Sequence, residues 1–187
     1  MRRLLLLCLV VMAGCRTLPP PETMQRPADP GQASFDLNGR ISITHDGKRD
    51  AANLRWSHTP DGDEMSLVAP LGQTVARLVR NGQGATLETS EQRYVAGNIG
   101  ELTQQALGWT LPLEGLPYWV FALPSPESES DIESAQGGQV SVLRQDGWEM
   151  RYLRYASEAA DSLPMRMRLA REGVEIQLMV DEWNIPR

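Results

Sequence analysis

The sequence predicts a mainly β fold with helices in its middle, built on a single curved antiparallel sheet. Three observations support this prediction. Apolar and polar residues alternate along about ten short segments, the pattern of strands with one buried and one solvated face. Turn-forming pairs such as Asp46-Gly47 and Asp146-Gly147 separate these segments, as expected for hairpins. Between residues 98 and 123 the alternation gives way to helical spacing.

In the first half of the folded region, turn signals separate the predicted strands. Gly39 interrupts the first strand, where a bulge or a close approach of another backbone is expected. Asp46-Gly47, Pro60-Asp61-Gly62 and the segment 81–84 supply the turns. The predicted strands cover residues 35–43, 52–56, 65–69, 75–79, 86–89 and 93–95.

Two helices are predicted next. Asn98, followed three residues later by Glu101, has the form of a capping box, and Gly108 is suited to end the helix. A second short helix is predicted over residues 113–123, which are apolar on all sides in a way that a surface helix is not.

After the helices, residues 124–138 are predicted to form a polar loop that is partly helical around residues 130–135. Clean alternation then returns in the last part of the chain. The strands predicted there cover residues 140–142, 148–152, 165–169 and 174–180.

Composition limits the function. The chain has 187 residues, enough for one domain and a short extra segment. Its 18 Lys and Arg residues are outnumbered by 24 Asp and Glu, and a net charge of −6 makes a nucleic-acid-binding protein improbable. A hydrophobic content of 41% excludes wholesale disorder. The two cysteines, Cys8 and Cys15, are too few for a disulfide scaffold or a thiolate zinc site.

The first fifteen residues indicate membrane targeting. Arg2 and Arg3 precede an apolar run from Leu4 to Met12, which is shorter than the roughly 20 residues that span a bilayer but suits a signal peptide. The run ends in Met12-Ala13-Gly14-Cys15, which resembles the lipobox of bacterial lipoproteins. Residues 1–14 are therefore predicted to be a lipoprotein signal peptide and Cys15 the lipidated residue. The alternative is an ordinary secretory signal in which Cys15 is incidental.

Residues 15–34 are predicted to be the lipidated N-terminus and a proline-rich tether, because five of the 13 prolines lie between Pro19 and Pro30. Arg16 follows Cys15, where an Asp is typical of lipoproteins kept in the inner membrane. We therefore expect a lipid anchor in the outer membrane, with the protein facing the periplasm. The folded domain is predicted over residues 35–187.

Catalytic motifs do not emerge from the sequence. It contains no Gly-x-Ser-x-Gly, His-Glu-x-x-His or phosphate-binding glycine loop. His45 and His58 flank hairpin turns, where exposed histidines are common. We expect no catalytic residue, no metal site and no cofactor. The Met- and Leu-rich inner face of the curved sheet either encloses an apolar pocket or fills a dry core, and the pattern leaves both open.

Several segments, in this order, resemble the outer-membrane lipoprotein receptor family, LolB. The resemblance covers roughly residues 35–183 together with the lipobox. The segments are Phe35-Asp36-Leu37-Asn38-Gly39-Arg40-Ile41, Leu67-Val68-Ala69-Pro70-Leu71-Gly72-Gln73-Thr74, Leu107-Gly108-Trp109-Thr110-Leu111-Pro112-Leu113, residues 119–124, Gln145-Asp146-Gly147-Trp148, Leu163-Pro164 and residues 176–183.

This resemblance implies an unclosed antiparallel β-barrel, lidded by two or three short helices around an apolar cavity for acyl chains. It also implies a protein that is not an enzyme. Such a receptor accepts lipoproteins from the soluble periplasmic carrier LolA and inserts them into the outer membrane. The implied partners are LolA, substrate lipoproteins and outer-membrane phospholipid, and we expect a monomer. The alternatives are an enzyme acting on envelope lipid or peptidoglycan, and a structural outer-membrane lipoprotein with a dry core.

Two sets of site residues follow. Pro70, Leu71 and Gly72 form a turn between two predicted strands, and the family carries a leucine at the tip of a protruding loop used at the membrane. The alternative is that Leu71 folds back onto the sheet. The residues expected to line the acyl cavity are Leu37, Ile41, Trp56, Met65, Leu67, Leu102, Leu116, Trp119, Val120, Trp148, Met150, Met165, Met167, Leu178 and Trp183.

Overall fold

Eleven strands form one open sheet in the computed structural model of the chain, which describes residues 25–186. Two helices, α1 (Ile99–Leu107) and α2 (Leu116–Trp119), lie between the sixth and seventh strands. The strands are β1 (Phe35–His45), β2 (Lys48–Thr59), β3 (Gly62–Val68), β4 (Thr74–Asn81), β5 (Gly84–Thr89), β6 (Arg93–Ala96), β7 (Ser130–Ser134), β8 (Val140–Gln145), β9 (Trp148–Tyr155), β10 (Pro164–Arg171) and β11 (Val174–Asn184).

The sheet consists of two meanders joined by the pairing of its first and last strands. The strand order is β6-β5-β4-β3-β2-β1-β11-β10-β9-β8-β7, and the pairings are antiparallel. Strands β6 and β7 are its two edges, so within residues 25–186 the barrel stays unclosed. The expected fold class is confirmed, and the helical segment connects one edge to the other.

Gly39 shows why the sequence folds as it does in β1. The register of β1 against β11 shifts between Asn38 and Gly39. A Cβ atom on Gly39 would lie 2.3 Å from the carbonyl oxygen of Met179. The bulge therefore requires glycine, and the predicted interruption of this strand is confirmed.

Helix α1 has the ends that its sequence predicts. The side chain of Asn98 accepts a hydrogen bond of 2.9 Å from the backbone N–H of Glu101, and Gly108 ends the helix at a φ of 79°. Ile99 and Leu102 are buried, and the helix packs against β5 and β6. Neither of the two described helices is long and apolar enough to cross a bilayer.

The second helix is shorter than predicted. The expected range was 113–123, but α2 covers only Leu116–Trp119. Beyond it the chain tightens, since the N–H of Phe121 donates to the carbonyl of Tyr118, and Ala122 adopts a left-handed φ of 57°. Leu113, Leu116 and residues 119–122 are nevertheless buried, as the apolar sequence indicates.

The prediction of a partly helical loop over residues 124–138 was wrong for its second half. Residues 130–134 form β7, an exposed edge strand paired with β8. Arg144 on β8 forms ion pairs with Asp131 and Glu133 of β7 at 2.9 and 2.6 Å. Acidic residues have low strand propensity, so the pairing partner, absent from any local window, decides this element.

The residues just before β1 contact the body of the protein. Arg26 donates hydrogen bonds of 2.9 and 2.7 Å to the carbonyl of Ser162, and its guanidinium lies 5.5 Å from the ring centre of Tyr155. Tyr118 donates to the carboxylate of Asp29 at 2.9 Å. We call residues 26–31 the N-terminal strap. The strap holds the last part of the proposed tether beside the β9–β10 loop.

Candidate functional site

An apolar cavity lies between the inner face of the sheet and the helical segment. Its volume is about 180 Å³. The sheet supplies most of its wall, and α1, α2 and the chain between them supply the rest. The lining residues are Ile41, Ile43, Leu54, Trp56, Met65, Leu67, Ala76, Leu78, Leu87, Thr89, Thr103, Leu107, Trp109, Leu111, Leu116, Val120, Leu169, Ile176 and Leu178.

The two hydroxyl groups on this wall already have partners. The hydroxyl of Thr103 donates to the carbonyl of Ile99 and accepts from the N–H of Leu111, both at 2.9 Å. The hydroxyl of Thr89 donates to the carbonyl of Gln92 at 3.2 Å. A ligand in this cavity therefore gains contact with apolar groups and finds no hydroxyl in need of a hydrogen bond.

Seven of the fifteen residues expected at the cavity lie on its wall. They share inward-facing positions of β1, β2, β3 and β11, or belong to the α2 segment. These residues are Ile41, Trp56, Met65, Leu67, Leu116, Val120 and Leu178.

The other eight lie elsewhere in the interior, packed against other side chains of the hydrophobic core. Seven of them are buried and Met165 is half-buried. Alternation assigns a residue to the inner face, but the depth of packing along each strand decides whether it meets the cavity. These residues are Leu37, Leu102, Trp119, Trp148, Met150, Met165, Met167 and Trp183.

Three of the tryptophans in the second group are held by the packed interior. Trp119 donates from its indole N–H to the side chain of Gln145 at 2.8 Å, and Trp183 donates to the carbonyl of Pro164 at 3.1 Å. Trp183 also stacks on Phe121 with ring centres 4.6 Å apart. Trp148 is buried without a partner for its indole N–H among the described residues. Trp119 and Trp183 thus pack the interior around the α2 segment.

Sequence reasoning missed twelve lining residues. Four of them, Ile43, Leu54, Leu169 and Ile176, sit two positions from a candidate on the same face of the same strand, so alternation was a sufficient signal for them. Four others lie on β4 and β5, strands on which no candidate was named. Those contributed by the helical segment gave no such signal. The twelve are Ile43, Leu54, Ala76, Leu78, Leu87, Thr89, Thr103, Leu107, Trp109, Leu111, Leu169 and Ile176.

A buried charged cluster supports one side of the cavity wall. The carboxylate of Asp63 accepts a hydrogen bond of 2.9 Å from the indole of Trp56, contacts Nδ1 of His58 at 2.7 Å and pairs with Arg80 at 2.6 Å. Burial acts to raise the pKa of Asp63, but the hydrogen bonds from His58 and Trp56 and the charges of His58 and Arg80 outweigh it and hold the pKa below its ordinary value.

The expectation of an exposed histidine was wrong at His58. This side chain is 3% exposed and stacks on Phe35 with ring centres 4.9 Å apart. Its position explains the burial, because Leu54, Trp56 and His58 alternate along the inward face of β2. Nε2 of His58 has no partner among the described residues and is shielded from solvent. The imidazole therefore belongs to the supporting cluster and not to the cavity wall.

The loop between β3 and β4 presents an apolar tip. The N–H of Gly72 donates to the carbonyl of Ala69 at 2.8 Å, and Gly72 has a φ of 87°, which favours glycine. Leu71 is 91% exposed at the tip and makes no return to the sheet. The tip of the loop is therefore apolar and accessible. Cys15, the predicted lipidation site, lies outside the described residues.

Comparisons with known proteins agree on one family. The family model described as outer membrane lipoprotein LolB matches residues 33–183. An outer-membrane lipoprotein LolB from Chromobacterium violaceum is 38% identical over 187 residues, covering 98% of this chain and 99% of its own. The protein of the same name from Thiobacillus denitrificans is 36% identical, covering 98% of each chain.

Among solved structures, a LolA superfamily protein from Nitrosomonas europaea is similar at a TM-score of 0.48 and 10% identity, covering 83% of this chain and 87% of its own. The family model matches residues 33–183, and the two relatives are decisive, since they span nearly the whole chain at more than 30% identity. The chain belongs to the LolB family of outer membrane lipoproteins and has a role in lipoprotein localisation.

Proposed function

We propose that the protein accepts the acyl chains of lipoproteins from the carrier LolA and releases them into the outer membrane without catalysis. The observation that carries this proposal is the cavity, whose wall is apolar and whose hydroxyl groups are already bonded within the protein. An acyl chain is a ligand that needs apolar contact and no hydrogen bond.

The energetics favour a sheltered route. A mature lipoprotein carries up to three acyl chains, on the order of 45 methylenes at about 0.8 kcal/mol each, so exposure to water would cost tens of kcal/mol. Transfer must therefore run from one apolar site to another. A cavity that binds the cargo about 1.4 kcal/mol more tightly than the carrier does gives a tenfold bias, and the bilayer then has to outcompete this cavity.

Loading requires the cavity to open. A volume of about 180 Å³ is below the roughly 300–1,000 Å³ that is usual for ligand sites. One part of the wall is the helical segment, with Leu107, Trp109 and Leu111, which follows the edge strand β6. We propose that this segment moves outward when acyl chains enter, because α1 packs mainly against β5 and β6, and the chain after it meets β1 through side chains such as Trp109, whose ring centre lies 6.5 Å from that of His45.

The remaining parts of the chain are assigned by the same proposal. Cys15 carries the lipid anchor after removal of residues 1–14, residues 15–34 join the anchor to the domain, and the domain works as a monomer. The exposed Leu71 contributes a few kcal/mol at most on entering the outer-membrane phospholipid. That amount orients the molecule toward the bilayer without anchoring it.

A reconstituted transfer assay tests the proposal. LolA loaded with a radiolabelled lipoprotein is mixed with the purified protein and then with outer-membrane vesicles. We expect the lipoprotein to move first to the protein and then, chemically intact, to the vesicles. Failure of the first step would favour a structural lipoprotein with a dry core. A hydrolysed product would favour an enzyme. The His58–Asp63 pair is a poor candidate for a catalytic dyad, because both side chains are buried.

A further inference from the structure

A second groove lies on the outer face of the sheet, beside the loop that carries Leu71. Its volume is about 390 Å³. Arg40, Arg49 and Arg166 line it, and Pro70 of the β3–β4 loop forms part of its wall. We call this site the arginine groove. Arg40 and Ser42 alternate along β1 with Ile41 and Ile43 of the cavity wall, so the groove and the cavity lie on opposite faces of the sheet, with Ile41 and Leu178 lining both.

The charge of the groove contrasts with that of the chain. The chain has a net charge of −6, yet the groove is lined by three arginines and by no carboxylate. Arg40 pairs with Asp181 at 2.9 Å, and Arg49 donates to the hydroxyl of Ser42 at 3.1 Å. Within residues 25–186, Arg166 forms no ion pair. The groove therefore retains positive charge.

Strand register places the groove close to the apolar tip. Across the sheet, Arg166 is paired with Met179, Met179 with Arg40, and Arg40 with Asn53. Asn53 is paired with Val68, the last residue before the β3–β4 loop. Arg40 and Arg166 thus lie on the row of the sheet from which this loop departs, and Arg49 lies four residues from Asn53 along β2, toward the β1–β2 turn.

We propose that the arginine groove binds the phosphate headgroup of anionic phospholipid when the Leu71 loop enters the membrane, an inference that rests on the proposed function. A leucine in the acyl region brings the row behind it to the level of the phosphates. Arginine binds phosphate through two parallel hydrogen bonds, and basic residues are attracted to anionic lipid surfaces. The groove then holds the protein on the bilayer by the side that carries the Leu71 loop.

An acidic protein surface, such as that of a carrier, is the competing occupant. The lipid is favoured because Pro70 belongs both to the groove wall and to the loop with the exposed leucine, so that one approach to the bilayer engages both.

The test uses the full lipid-anchored protein, reconstituted in phosphatidylethanolamine vesicles with or without phosphatidylglycerol. Acceptance of cargo from LolA and release into the vesicles are measured separately. We expect release to be faster with phosphatidylglycerol and this gain to decline with added salt. In the double variant Arg49→Gln/Arg166→Gln, the gain in release rate should fall about fivefold for each arginine removed. Acceptance of cargo from LolA should be unchanged.

The matched control is Arg55→Gln/Arg154→Gln, which removes two exposed arginines outside the groove and should keep the gain. Arg49→Lys/Arg166→Lys should retain part of the phosphatidylglycerol gain, because lysine keeps the charge. Glycerol 3-phosphate in solution should not speed release in the absence of phosphatidylglycerol. The headgroup site would be overturned if the control variant lost as much of the phosphatidylglycerol gain as the groove variant. It would also be overturned if the wild type transferred cargo equally fast with and without phosphatidylglycerol. In both cases the proposed function would stand. Loss of acceptance in the groove variant would point to carrier docking. Failure of all transfer by the wild type would overturn the proposed function itself.

Discussion

The indole N–H of Trp56 donates a hydrogen bond of 2.9 Å to the carboxylate of Asp63, and this bond links the cavity wall to a buried charge. Trp56 faces the cavity, while Asp63 is held from its other sides by His58 and Arg80. The orientation of an apolar wall residue is thus fixed by a polar cluster behind it. A buried charge with several partners holds its geometry well, but removing one partner is costly.

Asp63→Asn should destabilise the protein by about 1–3 kcal/mol, because Arg80 and His58 lose the charge that they contact. Chemical denaturation measures the change. Glu64→Gln is the matched control, since this neighbouring carboxylate also pairs with an arginine, Arg77, but does so on the surface. Its cost should stay within about 1 kcal/mol. Equal effects of the two substitutions would contradict the importance of burial.

The same pair predicts a pH dependence. The pKa of Asp63 is lower in the folded protein than the ordinary value of 3.8. Its contribution to stability is therefore complete above that value and is lost as the pH falls through the folded-state pKa, below about pH 4. The free energy of unfolding of the wild type should decline with acid more steeply than that of Asp63→Asn. Parallel declines would show that other carboxylates dominate.

Leu71→Glu should reduce release into membranes sharply while leaving the melting temperature and acceptance from LolA nearly unchanged. The side chain is 91% exposed, so folding does not depend on it, whereas a charge at the tip opposes entry into lipid. Leu153→Glu is the control, because Leu153 on β9 is also exposed, at 55%, but lies away from the loop. A large fall in melting temperature would indicate a packing role, and undiminished release would exclude insertion.

Ala76→Phe should block the cavity and lower cargo acceptance, because the added ring occupies space that acyl chains need. Overpacking costs about 1–3 kcal/mol where no space exists, and the cavity should keep the cost at the low end. Acceptance from loaded LolA and the melting temperature are measured together. Ala170→Phe adds the same volume on β10, away from the cavity lining, and should accept cargo normally. Normal acceptance by Ala76→Phe would place the acyl site elsewhere.

Arg26→Ala should release the N-terminal strap from the body. Its guanidinium bonds to the carbonyls of Ser162 and Ala160, which no other described side chain does. Hydrogen exchange should become faster in residues 26–33 and stay unchanged in β1, with little loss of global stability. Gln25→Ala, next to it and exposed, should leave exchange as in the wild type. Unaltered exchange in Arg26→Ala would mean that the hydrogen bond between Tyr118 and Asp29 is enough to hold the strap on the body.

Cys15→Ala should move the protein off the outer membrane and leave its ability to accept cargo intact, since the cavity is built from residues of the folded domain. Cell fractionation and the carrier assay measure the two properties. Cys8→Ala, within the proposed signal peptide, should keep the protein on the membrane. Loss of acceptance in Cys15→Ala would make the anchor part of the binding site.

Local sequence patterns were enough to predict the sheet and helix α1, and ordered segments of the sequence identified the family. Period-two alternation places Ile41 and Trp56 on the inner face because successive strand residues point to opposite sides, and the Asn98 cap and Gly108 define α1 through local hydrogen bonding and backbone freedom. Signals of this kind act over a few residues, so they can be read in a local window.

Which inner-face residues meet the cavity depends on packing across the fold. Leu37 and Ile41 share one face of β1, yet Leu37 is packed among other side chains and Ile41 lines the cavity. Leu37 is paired with Trp183 and Trp56 on the two neighbouring strands, so large rings pack beside it. Strand β7, the burial of His58 beside Asp63 and the docking of Arg26 likewise depend on partners distant in sequence or on neighbouring strands. Their energies come from pairing, desolvation and charge across the fold, which no local pattern of residues contains.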